Sequence, residues 1–171
     1  MGVFVAGASG AIGRPLVRQL VAAGHEVTGM TRREERAEAI RAGGAEAVVC
    51  DAFDAEALRE AVVAAAPEAV VHVLTALPRR YDPKSDYLSA TDRIRVEGTR
   101  NLVAAARAAG ARRIVAESIA FAYRPRGSWV KGEEEPLFTD APGRFGATFG
   151  AVAELERQAE GREKTGVFTG A

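Results

Sequence analysis

The stretch VFVAGASGAIGRPLVRQL, residues 3–20, leaves few folds open. An apolar run ends in three glycines spaced three apart, Gly7, Gly10 and Gly13, and an amphipathic pattern starts at once. Ile12, Leu16 and Leu20 recur every four residues, with Val17 and Val21 on the adjoining face, so a helix follows directly on a strand. Such a turn points free backbone N–H groups and the positive helix end at one spot, and that spot suits a phosphate. Gly7 then permits the tight turn, Gly10 lets the backbone approach a pyrophosphate, and Gly13 lets the helix lie close to the sheet. The spacing G-x-x-G-x-x-G is one residue wider than the commoner dinucleotide fingerprint, but it stands in the required strand–turn–helix context. A tight turn without a ligand is the alternative.

The same alternation runs through the chain. Short β-branched runs occupy 2–6, 26–30, 46–50, 69–74, 112–117 and 165–169. Helical patterns rich in Ala, Leu, Glu and Arg fill 34–42, 54–65, 86–109 and about 146–160. The strands are apolar throughout, as expected when both faces of a sheet are covered. Strand–helix alternation implies an α/β fold with a parallel, doubly wound sheet and right-handed crossovers. The one long irregular stretch is 124–145, which holds four of the seven prolines.

A chain of 171 residues suits a single domain spanning 1–171. Its 23 basic and 23 acidic side chains cancel, so no field favours nucleic acid or an anionic membrane as partner. The single cysteine, Cys50, rules out an intrachain disulfide, and no apolar run approaches the roughly 20 residues needed to cross a bilayer. A cytoplasmic protein with a small-molecule substrate is expected. Two isolated histidines and one cysteine show no metal-ligand spacing; His72, inside a strand, reads as a packed core residue.

GASGAIGR at the first turn, Asp51 after the third strand, VVHVLTALP at the fourth and VEGTRNLVAAARAAGARRIV into the fifth resemble the extended short-chain dehydrogenase/reductase family. The resemblance covers about residues 2–169. It implies a Rossmann sheet in the order 3-2-1-4-5-6 with a nicotinamide cofactor across its C-terminal edge. It places Gly7, Ser9, Gly10, Ala11, Ile12 and Gly13 at the pyrophosphate, Asp51 at the adenine amino group, and Leu74, Thr75 and Ala76 along the cofactor. In the family the helices near 86–109 and 146–160 pack against their mates in a homodimer.

Cofactor choice follows from the end of the second strand. NAD sites usually carry a carboxylate there, whereas this chain offers Thr31, Arg32 and Arg33. A guanidinium fork matches a 2′-phosphate, so NADP is expected, with NAD as the lesser cofactor. Solvated arginines neutralised by Glu34 and Glu35 are the alternative.

The catalytic half of the family pattern is missing. Family enzymes use a Ser or Thr after the fifth strand, then a Tyr four residues before a Lys on the next helix. No Tyr-x-x-x-Lys occurs here in any register; alignment on Glu156 puts Thr148 and Val152 at the two positions. Ser118 stands one residue early for the family's hydroxyl, which reads as Ile119, and Arg95 replaces a frequent Asn. Ser118 and Tyr123 are the catalytic candidates that remain, with Trp129 and Phe138 as lid aromatics on the 124–145 loop. The chain also stops after the sixth predicted strand, where family members build their substrate pocket. Three functions therefore compete: an atypical NADP-dependent reductase or epimerase/dehydratase-like enzyme, a non-catalytic NADP-binding regulator, and a truncated relic.

Overall fold

The computed structural model describes residues 1–78, 86 and 88–160. Five strands, β1 (Gly2–Ala6), β2 (Glu26–Thr31), β3 (Glu46–Val49), β4 (Ala69–His72) and β5 (Arg113–Ala116), form one parallel sheet in the order β3-β2-β1-β4-β5. This is the Rossmann order expected for the first five strands. The predicted sixth strand at 165–169 lies outside the described residues.

Alternation within β1 shows how the sheet is filled. Val3 and Val5 pack with Val17, Val27 and Ile40 beneath α1 (Gly13–Ala22) and α2 (Glu34–Arg41). Phe4 and Ala6 face the other way and meet Met30, Val70, Leu58 and Leu102 under α3 (Ala55–Ala65) and α5 (Thr99–Ala108). Both faces of β1 are thus dry, and burying a side chain the size of Phe4 or Leu58 contributes roughly 1.5–3 kcal/mol. Coverage is uneven farther out: on the α1 side Val71, Val73 and Val115 are only half-buried.

The helix predicted over 86–109 is three consecutive pieces. α4 (Ser89–Arg93) runs into a π-helical stretch, Ile94–Gly98, and then into α5, with helical backbone angles at both junctions. α6 (Arg144–Ala159) packs on this composite helix.

The 124–145 stretch is tied at its base. The Arg124 N–H donates to the Pro136 carbonyl at 2.9 Å and the Phe138 N–H to the Ala122 carbonyl at 2.8 Å. Tyr123 and Leu137 form an antiparallel bridge between them. Phe138 is not a lid: its ring stacks 6.4 Å from Phe149 in a small core with Ala122 and Val152. Trp129 is fully exposed and covers nothing.

Candidate functional site

The glycine turn divides its three residues between two tasks. Gly7 has φ +98°, and a Cβ there would fall 2.6 Å from the Val73 carbonyl oxygen. A Cβ on Gly13 would fall 2.2 Å from the Gly7 oxygen and 2.8 Å from Ala8 Cα, so Gly13 fits against the turn's own backbone rather than the sheet. At Gly10 a Cβ would meet only the Gly7 oxygen, at 3.2 Å, and otherwise open space. Gly10 is the glycine that faces outward.

The start of α1 is bare. Ile12 supplies no side-chain cap, the first turn holds no acidic residue, and the N–H groups of Ala11, Ile12 and Gly13 have no carbonyl partner among the described residues. Unsatisfied N–H groups at a helix start attract an anion. Ser9 could have capped them, but its hydroxyl lies 3.0 Å from that of Thr31, joining the ends of β1 and β2. The Arg33 N–H also donates to the Thr31 hydroxyl oxygen, at 3.4 Å, which sets the course of the chain beyond β2.

These pieces line one cleft of ≈530 Å³. It brings together Gly7, Ser9, Gly10, Arg32, Arg33, Leu74, Thr75 and Ala76 of the predicted set, and adds Arg36 and Leu77. Ala11, Ile12 and Gly13 do not line it: Ala11 is exposed, Ile12 lines a neighbouring cavity and Gly13 is buried. Asp51 stands apart: it is exposed, does not line the cleft, and its Oδ1 accepts the Phe53 N–H at 3.0 Å in the turn leading to α3. Arg32, Arg33 and Arg36 make no ion pair among the described residues; Glu34 and Glu38 are held instead by Arg41, at 3.4 and 3.6 Å. Neither Glu34 nor Glu35 forms an ion pair with the cleft arginines, although both line the opening beside them. The cleft offers unpaired cations at one end and lies against the glycine turn that leads to the bare helix start, which fits a phosphorylated dinucleotide.

The far wall hangs on a buried histidine. The Leu74 N–H donates to His72 Nδ1 at 3.2 Å, so Nε2 carries the proton and donates to Thr99 Oγ1 at 2.9 Å. The Ala76 N–H donates to Thr91 Oγ1 at 3.1 Å. Full burial, helped by the Arg95 charge, pushes the His72 pKa down from 6.5 to about 4. Between those values the unfolded chain binds a proton that the folded chain refuses, so stability falls as pH falls. Lowering the pH from 7 to 5 is expected to cost about 2 kcal/mol through this residue. Urea midpoints at the two pH values measure it; His72→Gln should flatten the difference, and an unchanged difference would assign it to other groups.

A second cavity, of ≈520 Å³, adjoins the cleft and shares Val73 with it. Ile12, Leu16 and Leu20 of the first turn and helix form one wall, and Val71, Val115, Ile119 and Phe121 the other. Glu117 and Ser118 also line it. The buried Ser118 hydroxyl donates to Glu156 Oε1 across to α6. Tyr123 lines neither cavity; its phenol pKa is raised by burial, then by Glu156 and Glu133.

Thr148 and Val152, at the positions of the family's Tyr and Lys, are both fully buried. Thr148 Oγ1 donates to Asp92 Oδ2 at 2.7 Å, and Asp92 Oδ1 holds the buried Arg95 at 3.0 Å. Thr148 is thus held in a packed polar knot, and Val152 in the small core with Phe149. Among the described residues no group of His, Cys, Asp and Glu could hold a metal ion, and no helix is long and apolar enough to cross a membrane.

A family model described as NAD(P)H-binding matches residues 7–142. A Streptomyces protein named 3-diazoavenalumate denitrifying reductase is 54% identical over 159 residues, which is 92% of this chain and 51% of that protein. A putative epimerase from Burkholderia cenocepacia is 30% identical with a TM-score of 0.69, over 92% of this chain and 48% of that one. UDP-glucose-4-epimerase from Stenotrophomonas maltophila, solved with bound NAD, shares the fold at a TM-score of 0.74 and 20% identity, over 92% and 47%. The chain spans about half the length of the relatives it matches. With a bare helix start behind Gly10 and a doubly wound sheet around it, the chain belongs to the NAD(P)H-binding family, on the extended short-chain dehydrogenase/reductase fold.

Proposed function

We propose that this chain carries the cofactor-binding part of a cytoplasmic, NADPH-preferring reductase for a small diazo compound. The observation that carries the cofactor preference is the cluster of three unpaired arginines, 32, 33 and 36, at the end of the cleft beyond β2. Gly7, Ser9 and Gly10 of the cleft, with Ala11 and Ile12 at the uncapped helix start, would hold the pyrophosphate, and Leu74–Ala76 the remainder of the cofactor. When bound, the nicotinamide supplies hydride. The diazo substrate is taken from the Streptomyces relative's name. It also accounts for the missing Tyr/Lys pair: departing dinitrogen carries off the electron pair of the broken bond, so no alkoxide forms that requires a phenolic acid. Ser118 would touch the substrate in the second cavity. Nucleic acid and membrane play no part in this reading, and a homodimer through the 86–109 and 146–160 helices would be compatible with it.

Removing the arginines tests the cofactor preference. Arg32→Ala with Arg33→Ala is expected to weaken NADPH more than tenfold and NADH only a few-fold, measured by titration calorimetry, because only the 2′-phosphate contact goes. Equal losses would assign these arginines to something other than the 2′-phosphate. A second reading, a sensor that binds NADPH without turnover, is favoured by the burial of Thr148 and Val152. Oxidation of NADPH in the presence of 3-diazoavenalumate separates the two.

A further inference from the structure

We propose that Glu117 is the proton donor of this site, serving an aromatic diazo-oxide bound in the cavity beside the cofactor cleft. The inference rests on the reductase reading above. Glu117 follows β5, and its N–H donates to the His72 carbonyl at 2.9 Å, which fixes the backbone at the C-terminal edge of the sheet. By strand alternation it shares a face with Val115, and both line the apolar cavity. A flat aromatic ring suits those walls.

Glu117 is half-buried there, and its carboxyl has no hydrogen bond among the described residues. Its oxygens keep contact with solvent, the only buried unpartnered side-chain atom among the described residues being Gln158 Oε1. Three polar groups of the surrounding elements make their hydrogen bonds with other residues. Ser118 donates to Glu156 of α6, Arg95 of the π-helical stretch pairs with Asp92, and His72 of β4 is neutral and bonded at both nitrogens. From the first turn and α1 the cavity receives only Ile12, Leu16 and Leu20. Burial raises the Glu117 pKa, and the Arg95 charge opposes the rise in part. The group therefore holds its proton to higher pH than an exposed glutamate and can release it toward the cavity.

The chemistry balances with one proton and one hydride. In an aromatic diazo-oxide the ring oxygen carries the negative charge that balances the diazonium. The Glu117 acid protonates that oxygen, leaving a diazonium cation facing a carboxylate. When bound in the cleft lined by Gly7, Ser9 and Gly10, the reduced cofactor would supply the hydride that the ring carbon needs, two electrons in all, as the carbon–nitrogen bond breaks and dinitrogen leaves with its electron pair. The carboxylate recovers a proton from solvent.

The test uses the full chain labelled with [δ-13C]glutamate, the Glu117 resonance being identified by its loss in Glu117→Gln. Its titration midpoint is expected above the ordinary glutamate value of about 4.3, and NADPH is expected to shift it. A midpoint at the ordinary value, or one that NADPH leaves unmoved, overturns the proposal. With 3-diazoavenalumate as probe, Glu117→Gln is expected to lower kcat about a hundredfold with NADPH affinity unchanged; an undiminished kcat also overturns it. A wild-type chain that fails to bind NADPH refutes the cofactor reading itself, whereas binding without a Glu117 response refutes this inference alone.

Discussion

Gly10→Val is expected to weaken NADPH binding about a thousandfold while the far-ultraviolet circular dichroism and the thermal midpoint barely move. A Cβ at this position presses only on the Gly7 oxygen, at 3.2 Å, which a shift of a few tenths of an ångström relieves. The rest of a valine side chain projects into the space that a pyrophosphate needs above Ala11 and Ile12. Two charge-assisted hydrogen bonds of roughly 1.5–3 kcal/mol each would be lost, and a thousandfold corresponds to about 4 kcal/mol. Titration calorimetry on the folded variant is the measurement. Unchanged affinity would move the phosphate site away from this turn.

Gly13→Ala should do the reverse and strike the fold. The added methyl would stand 2.2 Å from the Gly7 oxygen and within 2.9 Å of Ala8 backbone atoms, none of which belongs to a flexible side chain. Relief requires β1 and α1 to separate, which opens the cluster of Val3, Val5, Ala8 and Val17. A loss of about 3 kcal/mol or more is expected, lowering the thermal midpoint by about 10 °C. Saturating NADPH should not restore the wild-type midpoint, since the turn that binds it is the part displaced. A midpoint equal to wild type would show that the turn opens without cost.

The two glycines differ in a way that the sequence hides. Three evenly spaced glycines announce a strand–turn–helix, and apolar runs of three or four residues mark β1, β3, β4 and β5, because covered strands must be apolar; β2 has only Val27 and Met30 around Thr28 and Gly29. The sequence could not say which glycine faces solvent and which is pinned by backbone. Arg36 carries no mark of its place in the cleft, because an arginine inside an exposed helical pattern reads as a solvated charge. Glu117 is equally unmarked: a carboxylate just past a strand reads as a surface terminus, and only the fold shows the apolar wall beside it. Phe138 resembled a lid because it sits in a proline-rich loop, yet the loop's base is laddered and carries it into the core with Phe149. Asp51 stands where the resemblance expects it in sequence, but its Oδ1 is spent on its own turn.

The π-helical stretch at Ile94–Gly98 is a matter of phase. Thr91 and Thr99 both reach the segment that follows β4, one through the Ala76 N–H and the other through His72. They are eight residues apart, which in a regular α-helix is about 2.2 turns and leaves them about 80° out of step. A turn closed by i→i+5 bonds holds nearly one residue more, so one wide and one ordinary turn bring eight residues back into line. The two threonines stand one above the other because the helix has been let out by a fraction of a turn between them. Nothing in the letters TDRIRVEGT marks that allowance, which lives in the count of residues rather than in their chemistry. Along this helix substitutions preserve the alignment of everything downstream, whereas the loss of a single residue rotates all of α5 by about 100° and leaves His72 without its partner.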